Sequence, residues 1–193
     1  SNLQAIIDAS EKGELSARVV VVVSDKAGAR ALERARAHGI PAVYLNPREY
    51  STREEYDRAV ADVLEAHGVE VVALAGYMRI VTGELLDRFP NRVLNIHPSL
   101  LPAFPGLEAQ RQALEHGVKF SGCTVHFADG GLDSGPIIAQ AVVPVLPDDT
   151  AETLADRILA EEHKLYPLVL QWLAEDRVRI FGRKVVILPP ADS

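Results

Sequence analysis

Asn95 and His97 stand two residues apart at the end of an apolar run, in Leu94-Asn95-Ile96-His97-Pro98-Ser99-Leu100-Leu101-Pro102. In a strand, residues i and i+2 project from one face, so an amide and an imidazole converge on one small group. Pro98 biases His97 toward extended geometry and cannot donate a ladder hydrogen bond, which predicts a strand over 92–97 with both polar side chains at its carboxyl end. Open α/β sheets bind their ligands at that end. An amide beside a histidine suits a carbonyl that becomes tetrahedral: Asn95 donates to the developing oxyanion while His97 donates a hydrogen bond or moves a proton. A carboxylate is needed to hold the imidazole. Leu132-Asp133-Ser134-Gly135-Pro136 offers one in a loop with Gly130 and Gly131, where Asp133 would orient His97 and favour its charged form.

The surrounding elements must bring those groups together. A β-branched run over 18–23, a helix over 27–38, a strand over 40–45, a helix over 51–67 with a capping-box pattern at Ser51 and Glu54, and an apolar run over 69–75 alternate strand with helix. That grammar implies an α/β fold with a doubly wound, mostly parallel sheet. A short helix over 82–89 leads into the Asn95 strand. Beyond a helix over 107–116 the pattern changes: strands over 122–127 and 136–145 flank the glycine-rich loop, so this half is expected to be mixed or antiparallel. A long helix over 150–174 precedes a hairpin of 177–180 and 184–188 around Gly182-Arg183. The expectation is one domain, 1–193, with two lobes, 1–91 and 92–193, and a cleft between them. The N-terminal segment 1–12 carries Leu3, Ile6 and Ile7 at helical spacing with Gly13 as a stop, and no strand precedes it.

The segment from Leu94 to Pro105, with Leu132-Asp133-Ser134-Gly135-Pro136-Ile137-Ile138, resembles the folate-dependent formyltransferase family. Ser1-Asn2-Leu3-Gln4-Ala5-Ile6-Ile7, Ala75-Gly76-Tyr77-Met78-Arg79-Ile80 and Glu162-His163-Lys164-Leu165-Tyr166-Pro167-Leu168-Val169 point to the branch that formylates glycinamide ribonucleotide in purine synthesis. The resemblance implies a Rossmann-like N-terminal half and 10-formyltetrahydrofolate as co-substrate, with no metal. It implies catalysis by Asn95, His97 and Asp133 through direct attack of the amine on the formyl carbon. Folate contacts are implied for Arg53, Met78, Arg79, Ile80, Val81, Asn95, Asp129, Gly130, Gly131, Leu132 and Asp133, with Arg79 at the glutamate tail. Glu162 would meet the glycinamide portion. In that family a strand and glycine-rich turn run directly into Ser-Asn-Leu-Gln and bind the phosphate, so the first strand is expected outside this sequence, with Ser1 and Asn2 as the remaining phosphate contacts. The same motifs leave two relatives open, a formyltetrahydrofolate hydrolase and a methionyl-tRNA formyltransferase, the latter lacking its basic C-terminal domain here. A folate-binding module without turnover is the reading from another class.

Composition bounds the partners. The 193 residues, 48% hydrophobic, suffice for a single-domain core. With 20 Lys and Arg against 27 Asp and Glu, the net charge of −7 argues against a nucleic-acid surface, while the resemblance implies small-molecule substrates. A single Cys123 fits a reducing cytoplasm, and no apolar run approaches the roughly 18 residues of a membrane span. A homodimer is left open. Arg79 follows a buried strand, the address of a ligand contact, whereas Arg53 could equally be a first-turn residue paired with Glu54 or Asp57. Met78, Ile80 and Val81 have core packing as their plain alternative. His38, His67 and His116 each precede a glycine at a helix end and read as capping residues. His126, between Val125 and Phe127, either faces the cleft or is a satisfied sheet histidine, the second being the plainer reading, and His163 reads as a helix residue beside Glu162. A metal site from His97, His126, Asp133 and Cys123 finds no paired ligand spacing.

Overall fold

The computed structural model describes residues 1–77 and 79–192. The first helix, α1 (Asn2–Glu11), buries Ile6, Ile7 and Ala9. The β-branched run 18–23 yields a ladder only from Val22: β1 (Val22–Ser24) pairs in parallel with β2 (Ala42–Tyr44) across α2 (Arg30–Ala37). Val19 and Val21 still pack into the core. The run is therefore apolar for packing, and its hydrogen bonding is limited by the three-residue partner strand. Helix α3 (Arg53–Ala66) starts one residue later than its sequence pattern suggests. Thr52, not Ser51, accepts the Glu55 N–H at 3.1 Å, and the Glu55 carboxylate returns to the Ser51 N–H at 3.0 Å. The N-cap is thus Thr52 rather than Ser51, and the Glu55 carboxylate reaches one residue past it to Ser51 instead of closing a reciprocal box.

Strand β3 (Val72–Leu74) lies parallel to β4 (Val93–His97), with α4 (Gly83–Leu86) in the connection. After α5 (Ala109–His116), β5 (Phe120–Phe127) runs antiparallel to β4, and β6 (Ile137–Pro144) antiparallel to β5. Helix α6 (Ala151–Ala174) precedes the hairpin of β7 (Val178–Phe181) and β8 (Lys184–Ile187), which turns at Gly182 with φ +65°. The large sheet has the order β3-β4-β5-β6-β8-β7. Among the described residues, parallel pairing is confined to β1 with β2, β3 with β4, and one residue pair between β6 and β8. The C-terminal half is mixed and largely antiparallel, as the loss of strand-helix alternation predicts.

Alternation of side chains divides β4 and β5 into two faces. Leu94 and Ile96, with Cys123, Val125 and Phe127, join one apolar cluster with Leu154, Ile158, Tyr166 and Val169 of α6. Each fully buried aliphatic side chain contributes about 1.5–3 kcal/mol, so this face fixes the register. A one-residue slip would expose it. A second cluster joins α3, α4, β3 and the start of β4 through Tyr56, Val60, Leu85, Val72 and Val93. Tyr166 ties the layers together by donating its hydroxyl to the Leu74 carbonyl at 2.7 Å, at the carboxyl end of β3. Among the described residues, no helix is long and apolar enough to cross a membrane.

Candidate active site

Asn95 and His97 occupy the face of β4 away from Leu94 and Ile96. Their direct partners on β5 are His126 opposite Asn95 and Thr124 opposite His97. Directly paired residues project to the same side, so four polar side chains share one patch of sheet. Asp133 enters from the loop between β5 and β6, with φ +49°, a left-handed conformation that asparagine and aspartate tolerate better than most residues. Its Oδ2 lies 3.4 Å from Nδ1 of His97 and accepts the Gly106 N–H at 2.8 Å, while Oδ1 lies 3.9 Å from Nε2 of His126. All three side chains are nearly closed to solvent. Gly135 is required two residues on, because a Cβ there would overlap the Phe127 carbonyl.

The other nitrogen of His97 is also committed: Nε2–H donates to the Phe104 carbonyl at 2.8 Å. Phe104 has φ +52° and sits in the loop after Pro98, whose backbone is irregular up to α5. Both ring nitrogens therefore face acceptors, a setting that a doubly protonated imidazole satisfies. His126 takes the cleft-facing one of its two sequence readings. Its Nδ1–H donates to the Phe127 carbonyl at 2.9 Å, but Nε2 is buried without a hydrogen-bond partner and points into the site. Burial pushes the imidazolium form of His126 below the ordinary histidine range, with the Phe127 carbonyl and Asp133 opposing.

The remaining sequence candidates are distributed unevenly. Asp129 Oδ1 accepts the Gly131 N–H at 2.9 Å and the Ser134 hydroxyl at 2.6 Å. Burial raises the Asp129 carboxyl, but these bonds and Arg183 outweigh it and hold the group below the usual carboxylate range. Gly130, Gly131 and Leu132 form the exposed outer rim of the loop. Arg79 donates from Nε to Asp25 Oδ2 at 3.1 Å, and its guanidinium lies 5.4 Å from the centre of the Tyr56 ring. Arg53 is exposed at the first position of α3, and its suggested partner Asp57 is instead buried, accepting the Thr82 N–H at 2.7 Å. Ile80 is half-exposed, Val81 packs in the core with Tyr56 and Leu85, and Met78 lies outside the described residues.

Ser1 and Asn2 sit at the start of α1 beside α6. Asn2 Nδ2 donates to Glu162 Oε1 at 3.2 Å, and the Ser1 hydroxyl lies 3.0 Å from His163 Nε2. Glu162 falls in the buried stripe of α6 with Ile158, Leu165 and Tyr166, and burial raises its carboxyl while Asn2 opposes. His38, His67 and His116 lie at helix ends before glycines of positive φ, as their sequence positions suggest. Among the described residues, no group of three or more His, Cys, Asp or Glu side chains is arranged to hold a metal ion. Thr124, Gln140 and Asp25 were not candidates from sequence. For Thr124 a signal existed, since Thr-x-His on β5 mirrors Asn-x-His on β4, but it requires knowing that the two strands pair.

The chain belongs to the formyl transferase family, whose model matches residues 1–170 and so takes in the whole Asn95, His97, Asp133 cluster. Within it, similar proteins include phosphoribosylglycinamide formyltransferases. The Escherichia coli (strain K12) protein of that name is 44% identical over 180 residues, which cover 93% of this chain and 85% of that protein. The crystal structure of glycinamide ribonucleotide transformylase 1 from Symbiobacterium toebii superimposes with a TM-score of 0.96 at 60% identity, covering 97% of this chain and 89% of the other. The human trifunctional purine biosynthetic protein adenosine-3 is 44% identical over 180 residues; these span 93% of this chain and 18% of that protein.

Proposed function

We propose that this chain transfers the formyl group of 10-formyltetrahydrofolate to the amine of glycinamide ribonucleotide. The observation that carries the reading is the convergence of Asn95, His97 and Asp133 on one patch of sheet, in a chain whose relatives bear that activity's name. The amine attacks the formyl carbon directly, and the carbonyl pair moves onto oxygen. Asn95 donates its amide to that oxyanion, and His97 adds the N–H that faces Asp133, Nδ1–H, because Nε2–H is held by Phe104. The attacking nitrogen loses a proton to Asp133 or to water held there. Collapse of the intermediate breaks the bond from carbon to the folate nitrogen, which takes up a proton through His97.

In this reading the pterin lies against the loop of Asp129, Gly130, Gly131 and Leu132, with Ile80 on the apolar side; Val81, buried in the core, supports the pocket from behind. Arg53 and Arg79 serve the folate's outer portion. Glu162 and Asn2, joined by their hydrogen bond, meet the glycinamide, and Ser1 with the start of α1 meets the phosphate. The test is release of tetrahydrofolate from 10-formyltetrahydrofolate with and without glycinamide ribonucleotide. Release that needs the ribonucleotide and yields its formyl derivative supports the reading. Release at the same rate without it would make the chain a hydrolase, and binding without release would make it a folate-binding module.

A further inference from the structure

The bond between His97 Nε2 and the Phe104 carbonyl depends on an irregular loop, and that loop is footed on side chains not yet given a role. His97, Thr124 and Gln140 are direct cross-strand partners on β4, β5 and β6, so their side chains stand in a row on one face. Thr124 is wholly buried. Its Oγ1 donates to the Ser99 carbonyl at 2.7 Å and accepts the Leu101 N–H at 3.1 Å and a Gln140 Nε2–H at 3.0 Å. Those three bonds use the one donor and both lone pairs of the hydroxyl. Gln140 Nε2 also donates to the Leu101 carbonyl at 2.9 Å. Ser99, wholly buried as well, directs its hydroxyl to the Ala103 carbonyl at 2.5 Å and the Phe104 carbonyl at 3.2 Å. The Phe104 oxygen is thus held from one side by Ser99 and used on the other by His97.

We infer that Thr124 and Gln140 are positioning residues for His97. By fixing the backbone of Ser99 and Leu101 they fix the carbonyl that accepts the Nε2–H hydrogen bond, and so determine which nitrogen is presented to Asp133. An acceptor at one ring nitrogen decides the role of the other. A residue that only braced the loop would affect stability, whereas a positioning residue sets the ring orientation on which proton transfer depends. The inference rests on the proposed part of His97 in formyl transfer.

The test compares Thr124→Val, Thr124→Ser and Gln140→Met, assayed with glycinamide ribonucleotide and 10-formyltetrahydrofolate. Thr124→Val keeps the shape and loses all three bonds; its kcat should fall about 10–100-fold with KM for both substrates within about twofold. Thr124→Ser, which keeps the hydroxyl, should recover most of that loss. Gln140 is exposed, so Gln140→Met should fold normally and show a smaller fall of the same kind. A second readout is independent of turnover: in histidine-labelled protein, the nitrogen NMR shift of His97 Nε2 should move in Thr124→Val and Gln140→Met and return in Thr124→Ser. Unchanged His97 shifts in both variants, or a kcat loss in Thr124→Val that Thr124→Ser shares, would overturn the inference. His97→Ala with near-full kcat would instead overturn the catalytic reading, and the NMR comparison would still judge the positioning.

Discussion

His126 turns a buried Nε2 without a hydrogen-bond partner toward Asp133 Oδ1 across 3.9 Å. Since Nδ1–H is spent on the Phe127 carbonyl, the neutral ring presents a lone pair to a carboxylate. Two acceptors that face each other need a donor between them. The amine that loses its proton in formyl transfer has that character.

The same burial makes His126 a source of acid sensitivity. Its folded value lies below the ordinary histidine pKa of about 6.5, so as pH falls through that value the unfolded chain takes up the proton first and stability drops. Urea unfolding at pH about 7.5 and about 5.5 should show a larger loss for the parent chain than for His126→Gln. Equal losses would mean that His126 is not held neutral by burial.

His97→Ala should leave folate binding nearly intact and lower kcat by ~10²–10³-fold, the usual cost of one proton-transfer or oxyanion group. Asp133→Asn should lower kcat comparably with little change in thermal stability, because the asparagine oxygen can still accept the Gly106 N–H. Calorimetry with folate and steady-state rates together check both. A rate near that of the parent chain for either variant contradicts its assignment.

Glu162→Gln should separate stability from binding. Burial raises the Glu162 carboxyl above its unfolded value, so the stability associated with its protonated form is complete below about pH 4.3 and is lost as pH rises through the folded value. Glutamine removes that loss at neutral pH and keeps an oxygen for Asn2. Its melting temperature should exceed the parent's at neutral pH, by roughly 2–4 °C for each kcal/mol regained, while glycinamide ribonucleotide binds more weakly. A lower melting temperature at neutral pH would show that the carboxylate is stabilising where it sits.

Gly135→Ala should reduce both stability and rate. The new methyl group would meet the Phe127 carbonyl, a backbone atom fixed in β5, so the loop that carries Asp133 has to move. Differential scanning calorimetry and kcat measured on one preparation check this; an unchanged kcat would show that the loop can shift without carrying Asp133 away.

Asn95 and His97 were legible from sequence because their relation is local: two residues, one strand, one proline after them. Asp133 was legible as a carboxylate in a glycine-rich turn, although its distance from His97 was not. For His126 the sequence leaves two readings open, a cleft-facing histidine and a satisfied sheet histidine, since its own strand alternates without showing which face is empty. That information lies in the antiparallel register of β4 with β5, set by packing against α6. The same holds for Thr124 and Gln140, which matter only because of what they pair with. The capping motif of α3 was displaced by one residue for a simpler reason: Ser51 and Thr52 both fit a cap, and the pattern does not choose between them.

The two faces of β4 also make the site an all-or-nothing inheritance. Leu94 and Ile96 alternate with Asn95 and His97 along five residues, and α6 covers only the first pair. Removing one residue near the start of that strand would send the aliphatic pair to the reactive side and the polar pair beneath α6. No graded series of weaker enzymes lies along that path, so insertions and deletions should be absent from β4 in any working descendant of this chain, while the irregular segment after Pro98 can vary in length wherever Phe104 still reaches His97.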